Sequence, residues 1–174
     1  ITQADQPLCL DGFIEVDVNG TQKRFEIERI HQEENAAKNI HASGASLVDY
    51  NRAGTALMEI VSHPCMHSAE DALAYMTSIK QIMQYGGISS CDQEKGQMRS
   101  DVNISVRPIG QKELGSKVEI KNMNSFAFIQ EAIEYEIDRQ IAVLESGGSV
   151  EQETRGYDSD RGETFVQRSK EDAH

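Results

Sequence analysis

Carboxylates stand at three places in the sequence where residue type and spacing suit a divalent metal ion. Glu33 and Glu34 close a segment that also holds an arginine and a histidine. Glu59 lies inside an apolar run, and Glu119 lies between two lysines. Mg²⁺ takes oxygen ligands, usually one or two carboxylates completed by phosphate and water. Each place has a competing structural interpretation. Glu33 and Glu34 could form an exposed acidic turn, Glu59 a structural ion pair, and Glu119 part of a surface charge ladder.

Segment 99–107 alternates polar and apolar residues, so an extended strand would present Arg99 and Asp101 on one polar face. Such a face is either a solvated side of a sheet or a cleft in which arginines hold phosphate and Asp101 holds a metal ion or a proton. The absence of lysine and glutamate favours the cleft. Asn122 and Asn124 stand where a strand is expected to pass into a helix, whose free amides suit an anion.

The elements that must position these residues follow from hydrophobic periodicity, which predicts an α+β fold with a largely antiparallel sheet and two main helices. Asn19-Gly20 predicts a type I′ hairpin. Ser68 and Ser125 are predicted to begin the helices, which end at Gly86-Gly87 and Gly147-Gly148. Strands are expected at 12–18, 22–30, 46–50, 56–61, 98–107, 117–121, 150–157 and 163–168.

Two local predictions are less regular. Segment 32–38 loses the alternation of the strand before it, which indicates a loop or a single helical turn. The second helix is expected to turn five apolar residues inward: Ile129, Ile133, Ile137, Ile141 and Leu144.

Charge and length restrict the class of protein. Seventeen Lys and Arg against 29 Asp and Glu give a formal net charge of −12, which excludes a general basic face for nucleic acid. A length of 174 residues predicts one domain or a large piece of one, and no apolar run approaches a membrane span. Three widely spaced cysteines suit free thiols in a reducing cytoplasm. We expect both ends to be truncated, because the chain opens on Ile1 and stops at His174 within a charged stretch.

Eight short segments of the sequence resemble those of a known protein family and occur in the same order: 5–8, 29–38, 46–54, 59–62, 99–108, 119–126, 152–155 and 168–171. Together they resemble the B subunit of the aspartyl/glutamyl-tRNA(Asn/Gln) amidotransferases. The resemblance implies that residues 1–174 are the central part of one catalytic domain, a glutamine-synthetase-like cradle. The competing class is a non-catalytic acidic interaction scaffold within a multi-subunit complex. A third class is an ATP-dependent ligase that acts on a free amino acid.

The implied activity is that of a cytoplasmic carbon–nitrogen ligase with no membrane association. ATP converts the side-chain carboxyl of Glu-tRNA(Gln) or Asp-tRNA(Asn) into an acyl phosphate, which ammonia then displaces. The ammonia comes from glutamine through the partner amidase (A) subunit, and the small (C) subunit completes a heterotrimer. The misacylated tRNA is held mainly by domains outside this segment.

The resemblance also implies roles for particular residues. The implied Mg²⁺ ligands are Glu34, Glu59 and Glu119. The implied catalytic residues are Asp101, Arg99 and Arg52. The contacts with ATP fall to Lys121, Asn122 and Asn124. The enzyme hypothesis predicts that Glu34, Glu59, Asp101 and Glu119 converge on one cleft, whereas the scaffold hypothesis predicts that they are dispersed.

Overall fold

The computed structural model describes residues 5–123 and 125–169, without the side chains of Asn122, Arg168 and Ser169. The chain folds as two compact units, Ile1–Met66 and His67–His174, and each is described by itself. Within the described ranges, no helix is both long and apolar enough to cross a membrane. The α+β class with antiparallel sheets and two helices is confirmed, whereas the assignment of all 174 residues to one domain stays a prediction.

The first unit consists of strands: β1 (Cys9–Val18), β2 (Thr21–Glu34), β3 (Lys38–Ala42), β4 (Ala45–Asp49) and β5 (Ala56–Ser62). An antiparallel sheet has the order β1-β2-β5, and β3 and β4 form a separate hairpin. The predicted turn joins β1 to β2, with positive φ angles of 53° at Asn19 and 82° at Gly20. The Asp17 carboxylate accepts a hydrogen bond from the Gly20 amide at 2.9 Å, which fixes the turn.

The prediction of a loop or helical turn at 32–38 holds only for residues 35–37, which connect two strands. Strand β2 continues to Glu34, because its last four residues, from His31 onward, pair with Glu59 to Ala56 of β5. Strand β3 then begins at Lys38, where no strand was predicted. Strand formation here depends on a partner strand rather than on apolar alternation, so the polar sequence hid it.

The second unit contains both helices and a four-stranded sheet. Its elements are α1 (Ala69–Tyr85), β6 (Ser100–Ile104), β7 (Val118–Met123), α2 (Phe126–Glu145), β8 (Glu153–Asp158) and β9 (Glu163–Ser169). The sheet order is β6-β7-β8-β9, in which only the β7–β8 pair is parallel. A parallel pair needs a crossover, and α2 supplies it. Helix α2 packs on the sheet and against α1.

The two helix starts differ. The Ser68 hydroxyl accepts a hydrogen bond from the Asp71 amide at 3.1 Å, which is the predicted cap of α1. Ser125 stands at the predicted cap position of α2, but its side chain makes no capping hydrogen bond. The start of α2 therefore depends more on packing, and Ile129 of its first turn is fully buried.

The inward face of α2 differs from the predicted one. Ile129 and Ile133 are buried as expected, but Ile141 and Leu144 are 37% and 38% exposed. Steps of four residues overshoot a full helical turn by about 40° each, so a stripe counted in fours drifts off the core. The buried positions instead follow the true helical repeat: Ile129, Ala132, Ile133, Glu136 and Gln140.

A fully buried carboxylate, Glu136, ties α2 to the sheet. It accepts hydrogen bonds from Arg139 Nε at 3.0 Å, Gln140 Nε2 at 3.0 Å and Thr164 Oγ1 at 2.9 Å. Arg155 Nε of β8 lies 3.6 Å from it and also donates to the Thr164 hydroxyl at 2.9 Å. Burial opposes the charge, but the hydrogen bonds outweigh it and hold the pKa of Glu136 below its usual 4.5.

We expect Glu136→Ala to lower the free energy of unfolding by about 3–5 kcal/mol, because it breaks a buried ion group and leaves the Gln140 amide and the Thr164 hydroxyl without this acceptor, although Arg155 keeps its ion pair with Glu153. Urea denaturation of the purified protein measures the change. Glu134→Ala, on an exposed position of the same helix, should stay within about 0.5 kcal/mol of wild type. Equal losses in both variants would show that Glu136 has no special role.

The same carboxylate predicts a pH dependence. A lowered folded-state pKa means that the stabilisation is complete above the unfolded value of 4.5 and disappears as the pH falls through the folded value. Wild type should therefore lose stability more steeply than Glu136→Gln on acidification below about pH 4.5. Parallel acid-unfolding curves for the two proteins would contradict this.

Candidate functional site

An imidazole and two carboxylates meet on the sheet of the first unit. His31 Nε2 lies 3.0 Å from Glu33 Oε1 and 2.9 Å from Glu59 Oε2. One ligand atom from each residue lies within 4.8 Å of the other two, which suits a metal ion. His31 is 3% exposed, whereas half of the Glu59 side chain is accessible, so the group is anchored on one side and open on the other.

The β2–β5 ladder positions this group. His31 is directly opposite Glu59, and Glu33 lies two residues along β2 on the same face. A register shift between Ile27 and Arg29 makes Glu28 the extra residue of a β-bulge just before the site. Bulges of this kind re-aim the side chains that follow them. The cluster is therefore a product of strand register, which places residues 28 positions apart side by side.

The donor set fits a divalent cation. Imidazole nitrogen and carboxylate oxygen together suit first-row divalent ions, and two carboxylates also suit Mg²⁺. His31 Nδ1 is buried and makes no hydrogen bond within the described part of the chain, so Nε2 is the nitrogen aimed at the carboxylates. The accessible side of Glu59 leaves positions for water or phosphate.

Of the three carboxylates assigned to Mg²⁺, only Glu59 belongs to this cluster. Glu34 pairs with Ala56, one residue out of phase with His31 and Glu33, so it faces the other side of the sheet. Glu119 is on β7, in the second unit. The structure thus places Glu34 and Glu59 on opposite sides of one sheet.

Arg52 lies in the turn that closes the β2–β5 end. The Asn35 amide donates to the Thr55 carbonyl at 2.9 Å, and the Gly54 amide donates to the Asn35 carbonyl at 2.9 Å. These bonds extend the strand pair beyond its ladder and hold the turn at its end. Arg52 is exposed there, on the segment that follows Asn51.

A second polar group lies on the sheet of the second unit. Lys121 Nζ is 3.2 Å from both Asp101 Oδ2 and Glu119 Oε1. The Thr154 hydroxyl of β8 donates to Glu119 Oε2 at 3.4 Å. Burial opposes the lysine's charge, but hydrogen bonds from the ammonium to Glu119 and Asp101 outweigh it and raise the pKa of Lys121. Asp101 of β6 and Glu119 and Lys121 of β7 therefore form one charged group across two neighbouring strands.

Three further predicted residues, Arg99, Asn122 and Asn124, belong to the second unit. Arg99 is exposed and immediately precedes β6. Asn122 lies within β7, not at a strand-to-helix transition, because the strand extends to Met123. Asn124 lies outside the described residues.

The sequence pattern indicated Glu33 and Glu34 together as plausible metal ligands, but the ligand set implied by the resemblance kept only Glu34, and His31 was not selected. Sequence reasoning also missed Glu136 and Arg155. His31 lies opposite Glu59 only because β2 pairs with β5, and the sequence does not give the register of two strands that β3 and β4 separate. Glu136 had a detectable signal, since it lies seven residues after Ile129 and so on the same helical face.

Comparison with known proteins identifies the family. A protein-family model described as the GatB/GatE catalytic domain matches residues 1–174. The chain therefore belongs to the GatB/GatE catalytic domain family. The expected resemblance is thereby confirmed over the whole chain.

Curated relatives agree. Proteins named as the B subunit of aspartyl/glutamyl-tRNA(Asn/Gln) amidotransferase are 55% identical in Opitutus terrae, 53% identical in Persephonella marina and 51% identical in Thermoanaerobacter sp. strain X514. Each alignment covers 100% of this chain and 37% of the relative. The chain thus spans little more than a third of the length of these proteins.

Substitution separates the two possible ligand sets. We expect His31→Ala and Glu59→Gln to weaken Mn²⁺ binding by at least about ten-fold, because each removes a donor atom. Electron paramagnetic resonance titration of the full-length protein measures free Mn²⁺. Glu15→Gln, an exposed carboxylate on β1, is the matched control. Weaker binding in Glu34→Gln, with no effect of His31→Ala, would restore the set expected from sequence.

Proposed function

We propose that this chain is the catalytic part of the B subunit of a tRNA-dependent amidotransferase, which amidates Glu-tRNA(Gln) or Asp-tRNA(Asn) at the expense of ATP. Identity of 51–55% over the whole chain to proteins of that name carries the proposal. Two local groups support an enzyme rather than a scaffold: Glu59 lies with His31 and Glu33, and Asp101 and Glu119 lie with Lys121. Glu34, on the other side of its sheet, is not part of either group.

The chemistry follows from the poor reactivity of a carboxylate. Its oxygen attacks the γ-phosphorus of ATP, the bond to the β-phosphate oxygen breaks, and ADP leaves. Ammonia then attacks the acyl carbon of the acyl phosphate, inorganic phosphate leaves, and the added nitrogen loses a proton. Phosphoryl transfer of this kind depends mostly on positioning and charge neutralisation.

His31, Glu33 and Glu59 are the residues we propose to hold a divalent cation, in preference to Glu34 and Glu119. The cation, Mg²⁺ in the cell, neutralises and orients a phosphoryl group when bound. The buried His31 imidazole would anchor the cation from the sheet, and the half-exposed Glu59 carboxylate leaves its other side accessible. Arg52 and Arg99 are proposed to contact phosphate or the substrate carboxylate, since guanidinium groups bind such oxyanions in pairs of hydrogen bonds.

Lys121 is proposed to contact the phosphates of ATP. Its ammonium is charged at neutral pH, and Asp101 and Glu119, which raise its pKa further, hold it in place from two sides. Asn122 and Asn124 remain proposed neighbours of the nucleotide. Asp101 is proposed to act in catalysis through this ion pair and not as an isolated base.

The complete enzyme is proposed to be a cytoplasmic heterotrimer. The relatives are named as one lettered subunit of an enzyme, which implies partner subunits. We propose that these are the amidase (A) subunit, which releases ammonia from glutamine, and the small (C) subunit. The net charge of −12 leaves the tRNA body to other parts of the enzyme, and only its aminoacyl end reaches this segment.

The test is amidation by the complete complex with ammonium chloride as the nitrogen source, so that ammonia delivery by a partner is not limiting. Wild type should convert Glu-tRNA(Gln), Asp-tRNA(Asn) or both in an ATP-dependent reaction. Glu59→Gln and Lys121→Met should each lower kcat by roughly 10²-fold, the usual loss for one group that stabilises developing charge. Glu113→Gln, on an exposed loop, should match wild type. Full activity in both site variants would favour the scaffold.

A further inference from the structure

The sheet of the second unit has two chemically distinct faces. Val118 and Ile120 of β7 are fully buried on the face that packs against α2. Strand alternation directs Glu119, Lys121 and Thr154 to the opposite face. Gly156 follows Thr154 by two residues on that face, and its partner across β8–β9 is Phe165.

The Phe165 ring covers Gly156. A Cβ built on that glycine would lie 2.6 Å from Cζ and 3.0 Å from Cε1 of the ring. It would also lie 2.5 Å from Nε2 of Gln167. Any side chain at position 156 would therefore displace both groups, so the absence of a Cβ at Gly156 is what lets the ring and the amide approach the sheet backbone.

Gln167 owes its position to a bulge. It falls between the pairs Arg155–Val166 and Thr154–Arg168, so it is the extra residue of β9. A bulge re-aims its side chain, and here the primary amide comes to lie over Gly156 beside the ring. An aromatic face and an amide with donor and acceptor atoms thus stand together on a polar surface.

Covering a strand glycine is a structural role in its own right. It leaves much of the residue accessible, since Phe165 is 44% exposed. Nucleobases stack on such rings, and the amide of glutamine pairs with base edges. A purine base is uncharged, so an aromatic ring for stacking and an amide for hydrogen bonding are contacts that suit it.

We propose that Phe165 and Gln167, seated over Gly156, form the platform for the adenine base of ATP. The proposal rests on the proposed function, which supplies the nucleotide. Phe165 lies two strands and two residues from Glu119, about 12 Å by the spacing of a sheet. An extended nucleoside triphosphate spans such a distance, so a base on Phe165 directs its phosphates toward Lys121.

The experiment compares ligands with and without a base. Isothermal titration calorimetry of the complete complex measures the Kd of ATP and of inorganic tripolyphosphate, both with Mg²⁺. Phe165→Ala should weaken ATP binding roughly five- to a hundred-fold, the usual range for one lost stacking contact, and leave tripolyphosphate unchanged. Phe165→Tyr keeps the ring and should bind ATP as wild type does. Phe128→Ala, on α2, is the matched control for loss of an exposed ring.

Gly156→Ala supplies a second variant, because it displaces the platform without removing it. It should weaken ATP binding in the same ligand-specific way, with circular dichroism confirming the fold. Equal Kd values of ATP for wild type and Phe165→Ala would overturn the platform. A parallel loss of ATP and tripolyphosphate binding would also overturn it. If the wild-type complex itself neither binds ATP nor amidates tRNA, the proposed function has failed instead.

Discussion

The second unit depends on one buried carboxylate, Glu136. It is fully enclosed, and its hydrogen bonds to Arg139, Gln140 and Thr164 stabilise the ionised form despite burial. The bond from Thr164 of β9 and the ion pair with Arg155 of β8 join the crossover helix to the last two strands of the sheet. A buried ion group of this kind adds little net stability over an apolar packing, but it tolerates few alternative arrangements. The Glu136 partners Arg155 and Thr164 lie on the face of the sheet that packs against α2.

Once one face is committed to the helix, alternation decides what the other face carries. Lys121 and Glu119 lie on it because Ile120 between them lies in the core. The first unit follows the same rule without helices. There the ladder places Glu59 opposite His31, and Glu34 falls on the other side because it is one residue out of phase. In both units the side chains of a strand alternate between faces, so the strand register decides which polar groups lie together.

The acidic composition takes on a specific meaning from these arrangements. Part of the −12 charge belongs to carboxylates that converge on an imidazole or a lysine and are held by strand pairing. A surface of this sign repels a nucleic-acid backbone in general, yet it accommodates a polyphosphate once a cation and a few basic side chains are in place. Polar groups gathered in this way agree with membership in a family described as a catalytic domain.

The sequence by itself determined the α+β class, the Asn19-Gly20 hairpin, the first residue of α1 and the family, because these depend on local turn chemistry, periodicity and residue order. It also indicated Asp101 and Glu119 as members of one polar site, but the Lys121 ammonium that joins them is seen only in the structure. Only the tertiary structure decided that β2 runs through to Glu34, that Glu59 meets His31 and Glu33, and that α2 buries Glu136 instead of Ile141. The physical reason is the same in each case: a cross-strand partner or a buried counter-charge lies far away along the chain, and no local pattern records it.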